Sequence, residues 1–230
     1  PKWSLRVRGN GFIREDFIKG IEEAHAMGKK VHAVLNIIPH VRRVAAFEKV
    51  VDEMAQLKPD AFIMADPGLI DIVRNRYPDI PIHLSVQANT VNAGSVKFWQ
   101  KVGLTRCILA RELSLTEIDM IKQECPDMEI EVFAHGALCI AVSGRCLISG
   151  LLSHRDANIG ACNNSCRYGF NIRNVHAATA DDVTTFEADD GTTLSAQIEE
   201  SMHHPGEWMT MEEDLNGSYL MNSKDLCTLP

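Results

Sequence analysis

The chain has no lysine or arginine between Asn174 and Ser223, while 11 aspartates and glutamates fall in that interval. A stretch of that sign repels phosphates, which argues against it as a nucleic-acid contact. Residues 1–173 hold 22 basic and 19 acidic side chains, so the overall net charge of −8 conceals a mildly basic body, which reads first as an ordinary solvated surface and second as a face that could hold an anionic polymer. Also missing is an apolar run near the ~18 residues of a membrane span. No signal-peptide pattern is present. These absences, with an odd count of seven cysteines, point to a reducing cytoplasm, where clustered cysteine means metal or catalysis rather than disulfides. No G-x-G-x-x-G follows any strand, which weakens a dinucleotide site. There is no G-x-S-x-G elbow and no H-E-x-x-H helix. Ser143, His154 and Asp156 occur close together, but nothing orders them as a triad. No repeat of the solenoid kind occurs.

What the chain does have is Cys139-x6-Cys146-x15-Cys162-x3-Cys166. A C-x3-C pair puts two thiolates one helical turn apart, or across a tight loop, so that both can face one ion. Four thiolates suit tetrahedral zinc or a four-cysteine iron–sulfur cluster. Disulfides and unligated buried thiols are the other readings. Four cysteines within 28 residues of Gly-rich, polar sequence favour ligation. The radical-SAM spacing C-x3-C-x2-C is absent, because Gly169 stands where its third cysteine would be.

The first 135 residues alternate short apolar runs with longer amphipathic ones. Helices are expected over Phe12–Met27, Val41–Leu57, Pro67–Arg76 and Val91–Val102, and from the Ser114-x-x-Glu117 capping box to near Glu124. Strands are expected over Val31–Leu35, Ala61–Ala65, Ile82–Val86, Cys107–Ala110 and Ile130–Ala134. Nearly all-apolar short strands are buried on both faces, which means a parallel sheet in an α/β fold. The repeat of about five βα units predicts a (β/α) TIM-type barrel, incomplete in this fragment, with a doubly wound open sheet as the alternative. A start at Pro1 without Met, and an end at Pro230 just after an apparent helix start, read as a chain cut at both ends. Residues 136–173 read as a Cys-rich excursion. Residues 174–206 read as an acidic insertion with no clear period, mobile or a small lid. Residues 207–230 read as a β-hairpin around Asn216-Gly217 followed by the cap and first turn of a helix at Ser223.

In a barrel, chemistry sits at the C-terminal ends of the strands. Those positions carry Asn36, Asp66, Gln87 with Asn89, Arg111 with Glu112, and His135. Asp66 before Pro67 is a good N-cap, and Asn89 is a second capping candidate. Arg111 and His135 are poor caps. Arg111 could clamp a carboxylate or phosphate.

The runs His135-Gly136-Ala137-Leu138-Cys139, Ser143-Gly144-Arg145-Cys146-Leu147-Ile148-Ser149-Gly150, Gly160-Ala161-Cys162 and Cys166-Arg167 resemble the signature of the collagenase-like peptidase family. So does Met221-Asn222-Ser223-Lys224-Asp225-Leu226. Ser4-Leu5-Arg6-Val7-Arg8, Ile82-His83-Leu84-Ser85-Val86-Gln87-Ala88-Asn89 and Val96-Lys97-Phe98-Trp99 resemble most its tRNA hydroxylase branch. The resemblance covers nearly all of residues 1–173 and resumes at 205–227. It implies formation of 5-hydroxyuridine at the tRNA wobble position, without oxygen and with prephenate as cosubstrate. It implies a 4Fe-4S cluster on Cys139, Cys146, Cys162 and Cys166, with Cys227 as a possible substitute ligand. It also implies parts of the protein before Pro1 and after Pro230.

On these readings His135 is a candidate proton carrier, and Arg111 and Gln87 join it as catalytic candidates. Arg145 and Arg167 would meet carboxylates or phosphates, and Asn36 and Asn89 would bind substrate. The partners expected are tRNA and a small-molecule carboxylate, with no membrane. A peptidase and a zinc-stabilised, non-catalytic binding module are the competing functions.

Overall fold

The computed structural model describes residues 3–4, 12–135, 139, 141–143, 146–174, 195–200, 205–206, 208–213 and 219–221, the later strands largely through their backbone. The chain divides into two compact units. The first comprises residues 1–150 and 155–163, the second residues 151–154 and 164–230.

The first unit is built from βα repeats. Helix α1 spans Arg14–Ala26 and leads to strand β1, His32–Leu35. A 3-10 turn at Val41–Arg43 precedes α2, Val44–Gln56, and then β2, Ala61–Met64. Helix α3, Pro67–Arg76, has proline in its first turn, where no amide donor is needed. Strand β3, Ile82–Leu84, runs into a 3-10 turn at Val86–Ala88. Helix α4, Ala93–Lys101, strand β4, Arg106–Ile108, helix α5, Leu115–Glu124, and strand β5, Glu129–Glu131, complete the series.

All five strands pair in parallel, in the order β1-β2-β3-β4-β5. Parallel neighbours need crossovers, which are right-handed almost without exception. An order that never reverses therefore winds the helices onto one side of the sheet, and the switch point of a doubly wound fold is missing from these strands. The core lies between sheet and helices. Leu35, Phe62, Met64, Ile82 and Leu84 from the strands pack with Phe47, Val51, Leu69, Ile70 and Val73 from the helices. Sequence and structure agree on every βα element, and the differences lie at the ends. The helix expected from Val41 starts at Val44, because Val41 to Arg43 form a tighter, exposed turn. The helix expected from Val91 starts after Asn92, whose side chain accepts the Ser95 amide at 2.8 Å. The strand expected over Ile130–Ala134 stops at Glu131, and Phe133 is 60% exposed. Strand β5 lies at the end of the sheet order, so nothing described here buries the apolar residues that follow it.

The described residues of 139–150 and 155–163, also in the first unit, are mostly irregular, with a 3-10 turn at Ala157–Ile159 and the start of the short helix α6, Ile148–Ser153. The cysteine-rich stretch expected as one segment over 136–173 is thus divided between the units.

The second unit holds a four-stranded antiparallel sheet in the order β6-β7-β8-β9. Its strands are Phe170–Asn174, Ser195–Glu200, Trp208–Glu213 and Tyr219–Met221. The expected hairpin is present as β8 paired with β9, Glu213 opposite Tyr219. Within 174–206, read as an acidic insertion with no clear period, residues Ser195–Glu200 form strand β7. Its main chain pairs on both sides, and Asn171 donates to Glu199 across the β6–β7 pair at 2.9 Å. A six-residue strand with one β-branched residue leaves almost no periodic trace. The helix start at Ser223 lies outside the described residues.

Candidate functional site

The parallel sheet gathers the C-terminal ends of its strands at one edge, and the polar residues read from the sequence stand there. Asp66 caps α3, its carboxylate accepting the Leu69 amide at 2.9 Å. Asn36, after β1, donates from Nδ2 to the Ser85 hydroxyl, after β3, at 3.1 Å. The same hydroxyl accepts the Gln87 amide at 3.4 Å, so Ser85 closes the 3-10 turn that carries Gln87. Asn89 does not cap the following helix, whose N-cap is Asn92; it closes the 3-10 turn Val86–Ala88 at its C-terminal end. It sits in the left-handed region at φ 53°, a conformation that asparagine tolerates better than most residues. Its Oδ1 and the Thr90 hydroxyl are buried without a hydrogen-bond partner. His135 is exposed.

Arg111 and Glu112 follow β4 in a turn, and both reach the cysteine loop. Arg111 donates from Nε to the Ser143 hydroxyl at 3.3 Å and from Nη2 to the Ala141 carbonyl at 3.2 Å. This is the edge of the guanidinium that a bidentate carboxylate would take. Ser143, fully buried, donates its amide to Glu112 at 2.9 Å and its hydroxyl to the same carboxylate. That hydroxyl is therefore committed to Glu112 and Arg111. Asp156 accepts the Asn158 amide at 2.8 Å. Neither contact builds the relay of a serine nucleophile.

Three of the four clustered cysteines, Cys139, Cys146 and Cys162, belong to the first unit, each partly buried. Burial pushes the Cys146 thiol up from its ordinary pKa. The amides of Ser149 and Ile148, in the turn opening α6, donate toward its sulfur and act the other way, while Cys139 and Cys162 are near enough to raise it further. The backbone of Cys146 is held from both sides by one amide side chain. Asn158 Oδ1 accepts its N–H at 3.3 Å and Nδ2 donates to its carbonyl at 3.0 Å. Beside Cys162, Asn163 Oδ1 accepts the buried Ser149 hydroxyl at 2.9 Å.

No disulfide joins the six described cysteines. Among the described residues, no three His, Cys, Asp or Glu side chains stand close enough together to grip a single ion. The donor chemistry is that of soft sulfur, which suits iron–sulfur or zinc rather than magnesium or calcium. A cluster takes its cysteines at the outer corners of an inorganic core, so its ligands stand further apart than those of one ion.

Cys166 and Arg167 lie in a 3-10 turn, Ser165–Arg167, of the second unit, entered through Asn164 at φ 61°. Arg145 and Cys227 fall outside the described residues. Sequence reasoning missed Glu112 as a partner of Ser143, and it missed Asn158 altogether. The spacing Asp156-Ala157-Asn158 is the legible trace of the Asx turn that presents Asn158. No local pattern announces its pairing with Cys146.

The family model described as peptidase family U32 matches residues 1–230. The chain is 50% identical to tRNA hydroxylation protein P of Escherichia coli over 98% of its length, covering 52% of that relative. It is 46% identical to the protein of the same name from Haemophilus influenzae, over 98% of this chain and 52% of the relative. A 23S rRNA 5-hydroxycytidine synthase from Escherichia coli is 35% identical over 75% of this chain and 26% of its own. The chain thus spans about half the length of the first two relatives.

Proposed function

The chain belongs to peptidase family U32, and from that premise we propose that it is the thiol-bearing part of a tRNA hydroxylase. In this reading the enzyme converts the wobble uridine of tRNA to 5-hydroxyuridine in the cytoplasm, with prephenate as cosubstrate. Cys139, Cys146 and Cys162 hold a 4Fe-4S cluster, with Cys166 as fourth ligand on sequence spacing alone. The observation that carries the reading is that Cys139, Cys146 and Cys162 share one compact unit, partly buried and not joined by disulfides, with two backbone amides donating to the Cys146 sulfur. Relatives named for tRNA hydroxylation support the substrate. Consecutive parallel strands support reading the sheet as an arc of a (β/α)8 barrel.

The residues divide the work as follows. When bound, the cluster supplies redox and Lewis-acid chemistry at iron. The Ser149 and Ile148 amides stabilise the thiolate form of Cys146. Arg111 has Nε and Nη2 engaged by the loop and offers Nη1 to a substrate carboxylate. Asn36, Gln87 and Asn89 stand at the strand ends, where a base edge would be read. His135, exposed after β5, is placed to exchange a proton with solvent.

The test is an anaerobic absorption spectrum with iron and sulfide analysis on the full-length protein and its Cys139→Ser, Cys146→Ser variant. A broad band near ~400 nm with about four irons per chain, lost in the variant, is expected. A colourless protein carrying one zinc would overturn the reading. Nucleoside analysis of tRNA from a deletion strain checks the substrate, and unchanged 5-hydroxyuridine would exclude it.

A further inference from the structure

Among its described residues, the loop from Cys139 to Cys146 shows little apolar burial. Val142 is 53% exposed and Leu147, just beyond Cys146, 78%. Its fixed point is Ser143, which is completely buried. The Ser143 hydroxyl has one hydrogen, directed to Glu112, and two lone pairs, which face the Arg111 amide at 3.4 Å and Nε at 3.3 Å. Its own amide also goes to Glu112 at 2.9 Å, while Arg111 takes the Ala141 carbonyl two residues earlier. Consecutive residues of an extended strand point to opposite faces. Arg111 and Glu112 stand in a turn after β4 instead, and so both can reach one serine.

We propose that Glu112, Ser143 and Arg111 are positioning residues of the thiol site, an anchor that fixes the loop carrying Cys139 and Cys146 before any metal arrives. The inference rests on the thiol-site reading above. The anchor grips the middle of the loop, and Asn158 grips its end at Cys146. Serine suits the place closely. Alanine removes the donor and both lone pairs, and threonine adds a methyl group to a site with no exposed surface.

The test is the alkylation rate of each cysteine in full-length, metal-free, reduced protein, read by mass spectrometry. Ser143→Ala and Glu112→Ala are expected to raise the rates of Cys139 and Cys146 about tenfold, since a lost hydrogen bond to a charged group weakens the closed loop by that order. Cys107 and Cys125, buried in the core, serve as the internal control and should not move. Glu112→Gln keeps an acceptor for the Ser143 amide and is expected to fall between wild type and Glu112→Ala. Release of iron to a chelator from reconstituted protein should accelerate in the same order. Unchanged Cys139 and Cys146 rates in Ser143→Ala and Glu112→Ala would overturn the proposal. So would equal acceleration of the core cysteines, because that reports general unfolding. A protein that binds no iron but shows the selective loosening would sink the cluster reading and leave the anchor standing.

Discussion

Single side chains set the local energetics of both ends of the sheet. At the end away from the cysteines, His83 is 6% exposed, its ring edge-on to His32 at 4.6 Å. Burial first, then the nearby Arg106 guanidinium, push its pKa down to about 4. The unfolded chain takes up that proton near pH ~6.5, so between the two values it binds more protons than the folded one. The neutral imidazole therefore gives full stability above ~6.5, and stability falls as pH drops toward 4. Urea denaturation should lose roughly 2 kcal/mol between pH 7.5 and 5 through this residue. The loss should shrink in His83→Gln. An equal loss in the variant would assign the pH dependence elsewhere. At the other end, Asn158→Asp should destabilise more than Asn158→Ala, because it turns a carboxylate oxygen toward the Cys146 carbonyl. A cost of about 1–3 kcal/mol over wild type is expected by denaturant titration. The reverse ranking would contradict the two-sided pairing with Cys146.

At the scale of elements, the helix caps carry measurable weight. Asp66→Ala removes the acceptor for Leu69 and should cost about 1 kcal/mol in thermal or denaturant unfolding, with Asp66→Asn close to wild type. A neutral Asp66→Ala would mean that Pro67 alone defines the start of α3. This cap was legible in the sequence, as were the capping box at Ser114 and Glu117 and all five βα units. Such signals are local: a period, a proline, a polar residue three positions before its partner. The links that build the site are long-range. Ser143 meets Arg111 from 32 residues away and Asn36 meets Ser85 from 49. No periodicity records contacts of that kind. Strand β7 was hidden for another reason. Its pairing is made by the main chain, and its acidic residues mimic a solvated arm.

For the whole molecule, the uneven charge bears on the proposed reading of tRNA as substrate. The acidic side chains concentrated in 174–223 should oppose binding over distances comparable to the Debye length. Neutralising Asp181, Asp182, Asp189 and Asp190 to Asn should tighten tRNA binding at low salt, with the difference fading by about 0.5 M KCl. Fluorescence anisotropy against salt measures this, and weaker binding would show that these residues contact the RNA. The strand order has a further consequence, in time rather than space. Because each strand pairs with the one made just before it, the scaffold can assemble unit by unit as it leaves the ribosome. Arg111 and Glu112 are synthesised about thirty residues ahead of Ser143, and Cys162 follows later still. The newborn cysteine loop thus emerges onto a support that has already taken shape. On the proposed cluster reading, iron and sulfide would meet a loop whose support is already in place.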